Sequence, residues 1–264
     1  MPKMLISVIV ATYNRPDALS LVLQSLLNQT DDSYEILIAD DGSTQETFSL
    51  VENFQLFAKP KIHHVWQPDD GFRLSRIRNL ATQKANGDYL IFLDGDCIAQ
   101  PDFVAQHRKL SKPQHMVTGS RILLDKKISE RMCSTQNWSF EEFKKSLIIN
   151  WLSGEINKML PLYVKLPPNS ARDYRKFVWR RIKGCNLACW KEDAISINGF
   201  DENLTGWGHE DADFVFRLYD LGINRISGAW ATEVLHLWHK MADKATAQKN
   251  AEIVQSKIMA KKNS

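Results

Sequence analysis

The strongest constraint on how this chain can fold is a repeated order in its first hundred residues: short apolar runs, each closed by polar residues, alternate with segments of helical periodicity. The runs Leu5–Ala11, Glu35–Ala39, Ile62–Trp66 and Tyr89–Leu93 are rich in β-branched and aromatic residues, which suit buried strands. After Pro16, itself suited to a first helical turn, Leu19, Val22, Leu23, Leu26 and Leu27 recur at helical spacing, and Ser75–Ala85 reads as a second helix. Strand, helix and strand in this order predict right-handed βαβ units, and so an α/β fold around a mostly parallel sheet. Ligands bind such sheets beyond the carboxyl ends of the strands. The polar groups that close the runs fall there: Thr12-Tyr13-Asn14, Asp40-Asp41-Gly42-Ser43 and Asp94-Gly95-Asp96. One sheet edge should gather them.

The alternation breaks from about Lys126 to Lys183, an insertion expected to be helical and rich in basic and aromatic residues. Regular pattern returns at Asn186–Trp190, a helix starts near Glu210, and a polar, lysine-rich helix closes the chain from about Ala242. The expected division is 1–125, 126–183, 184–241 and 242–264. With 264 residues, 44% of them apolar, the chain can bury one large core or two small ones, which argues against disorder. A net charge of only +3 points neither to nucleic acid nor to a bilayer. Met4–Ala11 is too short and too poorly flanked for an export signal, and no run approaches the ~20 apolar residues that cross a membrane. The four cysteines form no CxxC pair, so free thiols in a reducing, cytoplasmic compartment are expected; Cys185 and Cys189 lack the second pair a zinc site would need.

Three clusters carry chemistry. Asp94-Gly95-Asp96 puts two carboxylates at a strand end, with a glycine that lets a ligand approach; this suits a hard cation on a diphosphate, but Asp-Gly is also a common turn. In Gly206-Trp207-Gly208-His209-Glu210-Asp211-Ala212-Asp213, three acids crowd a helix start. Capping explains acids there. Their mutual repulsion, and two glycines that leave room beside a tryptophan for a flat ring, go beyond capping. In Glu233–His239, His236 and His239 are three apart, so both reach one metal only if the backbone turns, and imidazoles would favour Mn²⁺ over Mg²⁺. Dinucleotide, P-loop and α/β-hydrolase signatures are missing.

Together SVIVATYNRPDAL, the ADDGS turn, GFRLSRIRNLA and DGDC resemble family 2 glycosyltransferases of the GT-A fold, whose Rossmann-like sheet binds a nucleotide sugar. The stretch from GCNLACWKEDAISINGFDENLTGWGHEDADFVFRL to VLHLWH resembles the carboxyl-terminal region of β-1,4-galactosyltransferases and chondroitin polymerases. The resemblance implies a hexosyltransferase-type enzyme acting by inversion. Thr12, Tyr13, Arg15, Asp41 and Asp94 would bind donor, Tyr13 stacking on the base, Asp41 bonding it and Asp94 facing the ribose. Arg73, Arg76 and Arg78 lie where the family meets donor or phosphate. Asp96, His236 and His239 would hold Mn²⁺ or Mg²⁺, with His236 where the galactosyltransferases have methionine. Trp207 would stack on the acceptor, Glu210 contact its hydroxyl and Asp211 take its proton; His209, which replaces a glycine, would narrow the acceptor pocket or contact donor phosphate. The implied partners are a UDP-sugar and a carbohydrate or glycolipid acceptor, in bacterial lipopolysaccharide or capsule synthesis.

Two other readings share the architecture: a carbohydrate-binding protein without turnover, and a sugar-nucleotide nucleotidyltransferase, whose glycine- and basic-rich amino-terminal loop is not found. Between Lys165 and Lys183, seven basic residues face Asp173 alone, with Tyr174, Phe177 and Trp179 interleaved. This reads as a patch for an anionic acceptor or for peripheral contact with the inner membrane surface, or as a solvated face. Lys257, Lys261 and Lys262 are expected to add little beyond solubility.

Overall fold

The computed structural model describes residues 3–174, 176–178, 182–240 and 246–262. Arg175, Trp179, Arg180 and Arg181 of the basic segment, and 241–245 at the expected start of the last helix, lie outside the described residues.

The first half forms β1 (Ile6–Thr12), α1 (Pro16–Leu27), β2 (Tyr34–Asp40), α2 (Gln45–Gln55), β3 (Ile62–Trp66), α3 (Leu74–Lys84) and β4 (Tyr89–Asp94), within a residue of each bound expected above. These four strands are parallel, in the order β3-β2-β1-β4. All seven residues of β1 are buried because helices cover both faces: Val8 and Val10 pack with Leu19 and Leu23 of α1, while Ile9 packs with Ile77 and Ala81 of α3.

The chain continues through β5 (Cys97–Ala99), α4 (Phe103–Leu110), β6 (His115–Thr118) and β7 (Arg121–Leu123). Among its described residues the insertion holds three short α-helices, α5 (Lys126–Thr135), α6 (Phe140–Lys145) and α7 (Leu147–Leu152), and the short strand β8 (Asp173–Tyr174). There follow β9 (Asn186–Trp190), α8 (Lys191–Ser196), α9 (Glu210–Asp220), β10 (Asn224–Ser227), β11 (Val234–His236) and α10 (Ala247–Lys262). The main sheet has the order β3-β2-β1-β4-β9-β6-β10-β8; β9 runs antiparallel to both neighbours, and β8 antiparallel to β10. Because β9 lies between β4 and β6, the two halves of the chain share one sheet. A small second sheet, β5-β11-β7, brings His236 level with Cys97 on one side and Leu123 on the other. All four cysteines are free. Among the described residues no helix is long and apolar enough to cross a membrane.

The described part of the basic segment is divided: Arg172 is buried and donates to the carbonyls of Pro167, Leu166, Ser227 and Ala229, Phe177 packs on Phe216 and Tyr219, and the Arg225 guanidinium covers Tyr174, while Lys176 and Lys183 are exposed. Arg172 is therefore not a surface charge. Nor is Lys257 a solubility residue: its ammonium lies 2.6 Å from the fully buried Asp213 and 2.8 Å from Asp201. Lys261 pairs with Asp220 at 3.1 Å.

Candidate active site

The register of the parallel strands brings the expected donor residues to one edge: Thr12 pairs with Asp40, and Ala11 with Asp94. Thr12 is buried and its Oγ1 has no hydrogen-bond partner. Tyr13 is 49% exposed, and its hydroxyl donates to Asp69 Oδ2 at 2.8 Å. Asp41 accepts from Gln67 Nε2 at 2.5 Å and from the Arg73 N–H at 2.9 Å; burial still raises its pKa. Gly42, at φ +94°, lets this turn close, since a Cβ there would sit 2.5 Å from the backbone of Asp69. Arg15 is held by Asp17 at 2.9 Å.

The three arginines of α3 and its approach part company. Arg73 pairs through its side chain with the exposed Asp70, and Arg76 is exposed. Arg78 is buried; it donates to Asp94 Oδ1 at 2.7 Å, lies 3.9 Å from Glu210, and keeps Nε and Nη1 without a hydrogen-bond partner. Burial raises the Asp94 pKa and the Arg78 charge opposes the rise. Gly95, expected to let a ligand approach, faces backbone on its Cβ side instead. Its N–H donates to the Ala11 carbonyl at 2.7 Å, and a Cβ would stand 2.8 Å from that oxygen, so the glycine serves the approach of two strand ends.

The three acids of α9 diverge. Asp213 turns inward to Arg217 at 2.7 Å and to Lys257, so it is structural. Glu210 is buried; desolvation, reinforced by Asp211 and opposed by Arg78, raises its pKa to about 7, and its Oε2 has no hydrogen-bond partner. Asp211 Oδ2 accepts from the Gly184 N–H at 2.8 Å, and Oδ1 from Ala212 N–H at 2.7 Å. Trp207 is 40% exposed. His209 precedes the helix at φ +70°, a left-handed conformation that glycine adopts most readily. Gly206 and Gly208 do not open space for a sugar: both have positive φ, and their missing Cβ atoms would meet Thr246 and Ala247 of the carboxyl-terminal segment. That segment grips the loop, as Asn250 Nδ2 donates to the carbonyls of Thr205 at 3.2 Å and Gly208 at 3.0 Å, and Thr246 to that of Trp207 at 3.2 Å.

The backbone turns after His236, as two histidines three apart would require, because β11 ends there. One ligand atom each from Asp96, His236 and His239 lie within 4.8 Å of one another. His239 Nδ1 donates to the Lys240 carbonyl at 3.0 Å, which leaves Nε2 facing Asp96 Oδ2 at 3.3 Å. With Nδ1 bonded to a carbonyl, Nε2 is the nitrogen left to meet a cation beside the Asp96 carboxylate, so Asp96 and His239 fit a divalent metal. His236 Nε2 lies 3.8 Å from Asp96 but 3.2 Å from Arg121 Nη1, whose proton competes for the same lone pair. Burial lowers the His236 pKa, which keeps the imidazole in its ligating form.

A cleft of about 450 Å³ takes in Arg78, Asp94, Arg121, Trp207, Glu210 and Asp211, with His209 on its wall. The metal-type cluster adjoins it through Arg121, and Tyr13 and Asp41 lie farther along the sheet edge, outside its lining. Arg15, Arg73 and Arg76 do not line it either. Arg121, Gly184, Asp69 and Asn250 escaped the sequence reading. A single arginine on a three-residue strand carries no pattern, whereas the polar Gln67-Pro68-Asp69-Asp70-Gly71 stretch was a turn signal that could have been followed.

An α/β sheet with carboxylates, a guanidinium and imidazoles gathered beyond its strand ends is the architecture of the GT-A glycosyltransferases. Residues 7–159, more than half the chain, match the family described as Glycosyl transferase family 2, and the chain belongs to that family. Residues 169–240 match a second family, described as N-terminal domain of galactosyltransferase. Chondroitin synthase of Escherichia coli is 29% identical over 235 residues, covering 86% of this chain and 34% of that protein. Validoxylamine A glucosyltransferase of Streptomyces hygroscopicus subsp. jinggangensis is 28% identical over 246 residues, covering 88% of this chain and 56% of its own length. The chain thus spans between about a third and just over half of these relatives. The structure of GalNAc-T7 with UDP, GalNAc and Mn²⁺ superposes with a TM-score of 0.67 at 16% identity, covering 96% of this chain and 48% of that one, which establishes the GT-A fold.

Proposed function

We propose that this chain is an inverting, divalent-metal-dependent glycosyltransferase that moves a hexose or N-acetylhexosamine from a UDP-sugar to a carbohydrate or glycolipid acceptor. It would work in the cytoplasm, or peripherally on the cytoplasmic face of the membrane, on a bacterial polysaccharide such as lipopolysaccharide or capsule. The observation that carries the reading is one cleft in which Asp211, held by the Gly184 N–H, shares space with Arg78 and Asp94, beside the Asp96, His236 and His239 cluster.

Residues 1–125 would bind donor and 184–241 would bind acceptor and carry the base. Tyr13 stacks on the base and Asp41 bonds it, Thr12 and Asp94 meet the nucleoside, and Arg78, pinned by Asp94, turns its unpartnered Nε and Nη1 to donor phosphate. Asp96 and His239, with His236 once Arg121 yields, would hold Mn²⁺ or Mg²⁺. When bound, the ion supplies Lewis-acid stabilisation of the departing diphosphate. Trp207 packs on the acceptor ring. Glu210, whose burial holds its proton to near neutral pH, donates a hydrogen bond to an acceptor hydroxyl, and Asp211 remains the base. As Asp211 takes the hydroxyl proton, the acceptor oxygen bonds the anomeric carbon and the bond from that carbon to diphosphate breaks on the opposite face. The test is a panel of UDP-sugars with Mn²⁺ and candidate glycans, assayed for free UDP. Release of UDP from at least one sugar is expected; pyrophosphate, or no turnover with any donor, overturns the reading.

A further inference from the structure

Arg121 is a cation bonded only to an imidazole and a thiol. It opens β7, and the parallel register sets it opposite Val234, two residues before His236 on β11. Side chains two apart on a strand share a face, so the guanidinium runs along that face to the imidazole, and Nη1 lies 3.2 Å from His236 Nε2. Its other hydrogen-bond partner is Cys185 Sγ, 3.8 Å away. Among the described residues no carboxylate comes within ion-pair distance of this half-buried side chain. The acids that share its cleft have other partners: Asp94 accepts from Arg78 at 2.7 Å and Asp211 from the Gly184 N–H at 2.8 Å.

A guanidinium has no lone pair and can only donate, so His236 Nε2 accepts from it and the ring proton sits on Nδ1. The His236 atom that faces Asp96, at 3.8 Å, is that same Nε2. One lone pair cannot serve Arg121 and an ion held by Asp96 at once, and the guanidinium charge also repels such an ion. Displaced from His236, Arg121 becomes a half-buried cation in want of an acceptor, which costs free energy until it finds one. The cleft it lines with Arg78 and Lys183 is where an anion would meet it, and a planar fork of donors matches phosphate oxygens.

We propose that Arg121 holds the His236 lone pair until a divalent cation claims it, and then turns into the cleft to bind the donor diphosphate, so that metal binding readies the site for the donor. The inference rests on the metal-dependent reading above. Calorimetry on the full chain tests it, with Mn²⁺ alone, UDP alone and UDP in saturating Mn²⁺, for the wild type, Arg121→Met and Arg121→Lys. The methionine variant is expected to bind Mn²⁺ ~10-fold more tightly, because nothing competes for His236, and to bind UDP in Mn²⁺ ~10-fold more weakly, with metal-free UDP binding little changed. Opposite signs separate this role from a structural one, which would weaken both. Arg121→Lys restores the charge and should recover part of the lost UDP affinity. Unchanged or weaker Mn²⁺ binding by the methionine variant overturns the proposal, as does a lysine variant no better than the methionine one. Unchanged UDP affinity in Mn²⁺ overturns it too, and would give the guanidinium to an anionic acceptor instead. A wild type that binds no Mn²⁺ brings down the metal-dependent reading as well, whereas equal Mn²⁺ binding by wild type and variant brings down this inference alone.

Discussion

Two pairs of acids frame the cleft, and they are held by different means. Asp94 and Asp96 close a strand in the middle of a buried sheet, and backbone hydrogen bonds tie each residue of their turn: Asp94 donates to Cys185, Gly95 to Ala11, and Asp96 accepts from Leu237. Glu210 and Asp211 open a helix entered through the left-handed His209 and held by two remote segments: the Gly184 N–H on Asp211, and the carboxyl-terminal segment, whose Thr246 and Asn250 bond the approach loop. The sheet fixes the first pair wherever the fold exists. The second pair depends on tertiary contacts that can loosen while the fold stays intact, so acceptor chemistry should come apart from donor binding more readily than the reverse.

The widest separation is expected from Asp211→Asn. If Asp211 is the base, turnover falls ~10²–10⁴-fold while UDP affinity, which rests on the other pair, is unchanged. Initial rates and calorimetry with UDP and Mn²⁺ measure both; wild-type turnover would remove Asp211 from the mechanism. Asp96→Ala should act on the opposite side, lowering metal-supported UDP affinity ~10²-fold and leaving metal-free UDP binding unaltered. Equal UDP affinity with and without Mn²⁺ in the wild type would dissolve the metal site.

Glu210→Gln sharpens the contrast through pH. The folded pKa of Glu210, about 7, stands above the ordinary 4.5, so the folded state keeps a proton that the unfolded state releases. Wild-type stability should therefore be fullest below about pH 4.5 and decline as pH rises through about 7, by at most ~3 kcal/mol. The glutamine variant lacks that decline, so its melting-temperature advantage should grow from about pH 5 to about pH 8. A constant difference would mean that Glu210 titrates normally. Asn250→Ala removes two donors to the acceptor loop and should cost about 1–2 kcal/mol in stability, while the acceptor KM rises and UDP affinity holds. A matching loss of UDP affinity would show that the two pairs are not mechanically separate.

The same contrast governs what could be read in advance. Local pattern carries the donor edge: an apolar run closed by Asp-Gly-Asp marks both a strand and its polar end, and the parallel register then aligns Thr12, Asp40 and Asp94 without further information. The acids near residue 210 were visible as a cluster, but their separate fates were not. Asp213 became structural because Lys257, 44 residues downstream, reaches it, and Glu210 acquired its burial from Arg78 and the sheet rather than from its neighbours in sequence. Glycines misled for a related reason. Gly95, Gly206 and Gly208 looked like openings for a ligand, yet each is small because another stretch of backbone or side chain passes close to it. A sequence shows that a side chain is missing without showing what fills the place.

His209→Gly should give the smallest effect and the finest test. At φ +70° a non-glycine residue bears strain of order ~1 kcal/mol, partly offset because glycine loses more chain entropy on folding. The variant is therefore expected to match the wild type in stability or exceed it by no more than about 1 kcal/mol. UDP affinity should not move if His209 serves the acceptor, although it lines the same cleft as Arg78 and Asp94; a fall would assign the imidazole to the donor phosphate instead. Acceptor selectivity should broaden, because an imidazole at that wall narrows the space beside Trp207 and Glu210. Thermal melting, UDP calorimetry and competition between acceptors read the three effects separately. A stability loss above about 1 kcal/mol would mean that contacts of the imidazole, and not the shape of the turn, hold the loop, and the acceptor wall would then be as firmly built as the donor edge.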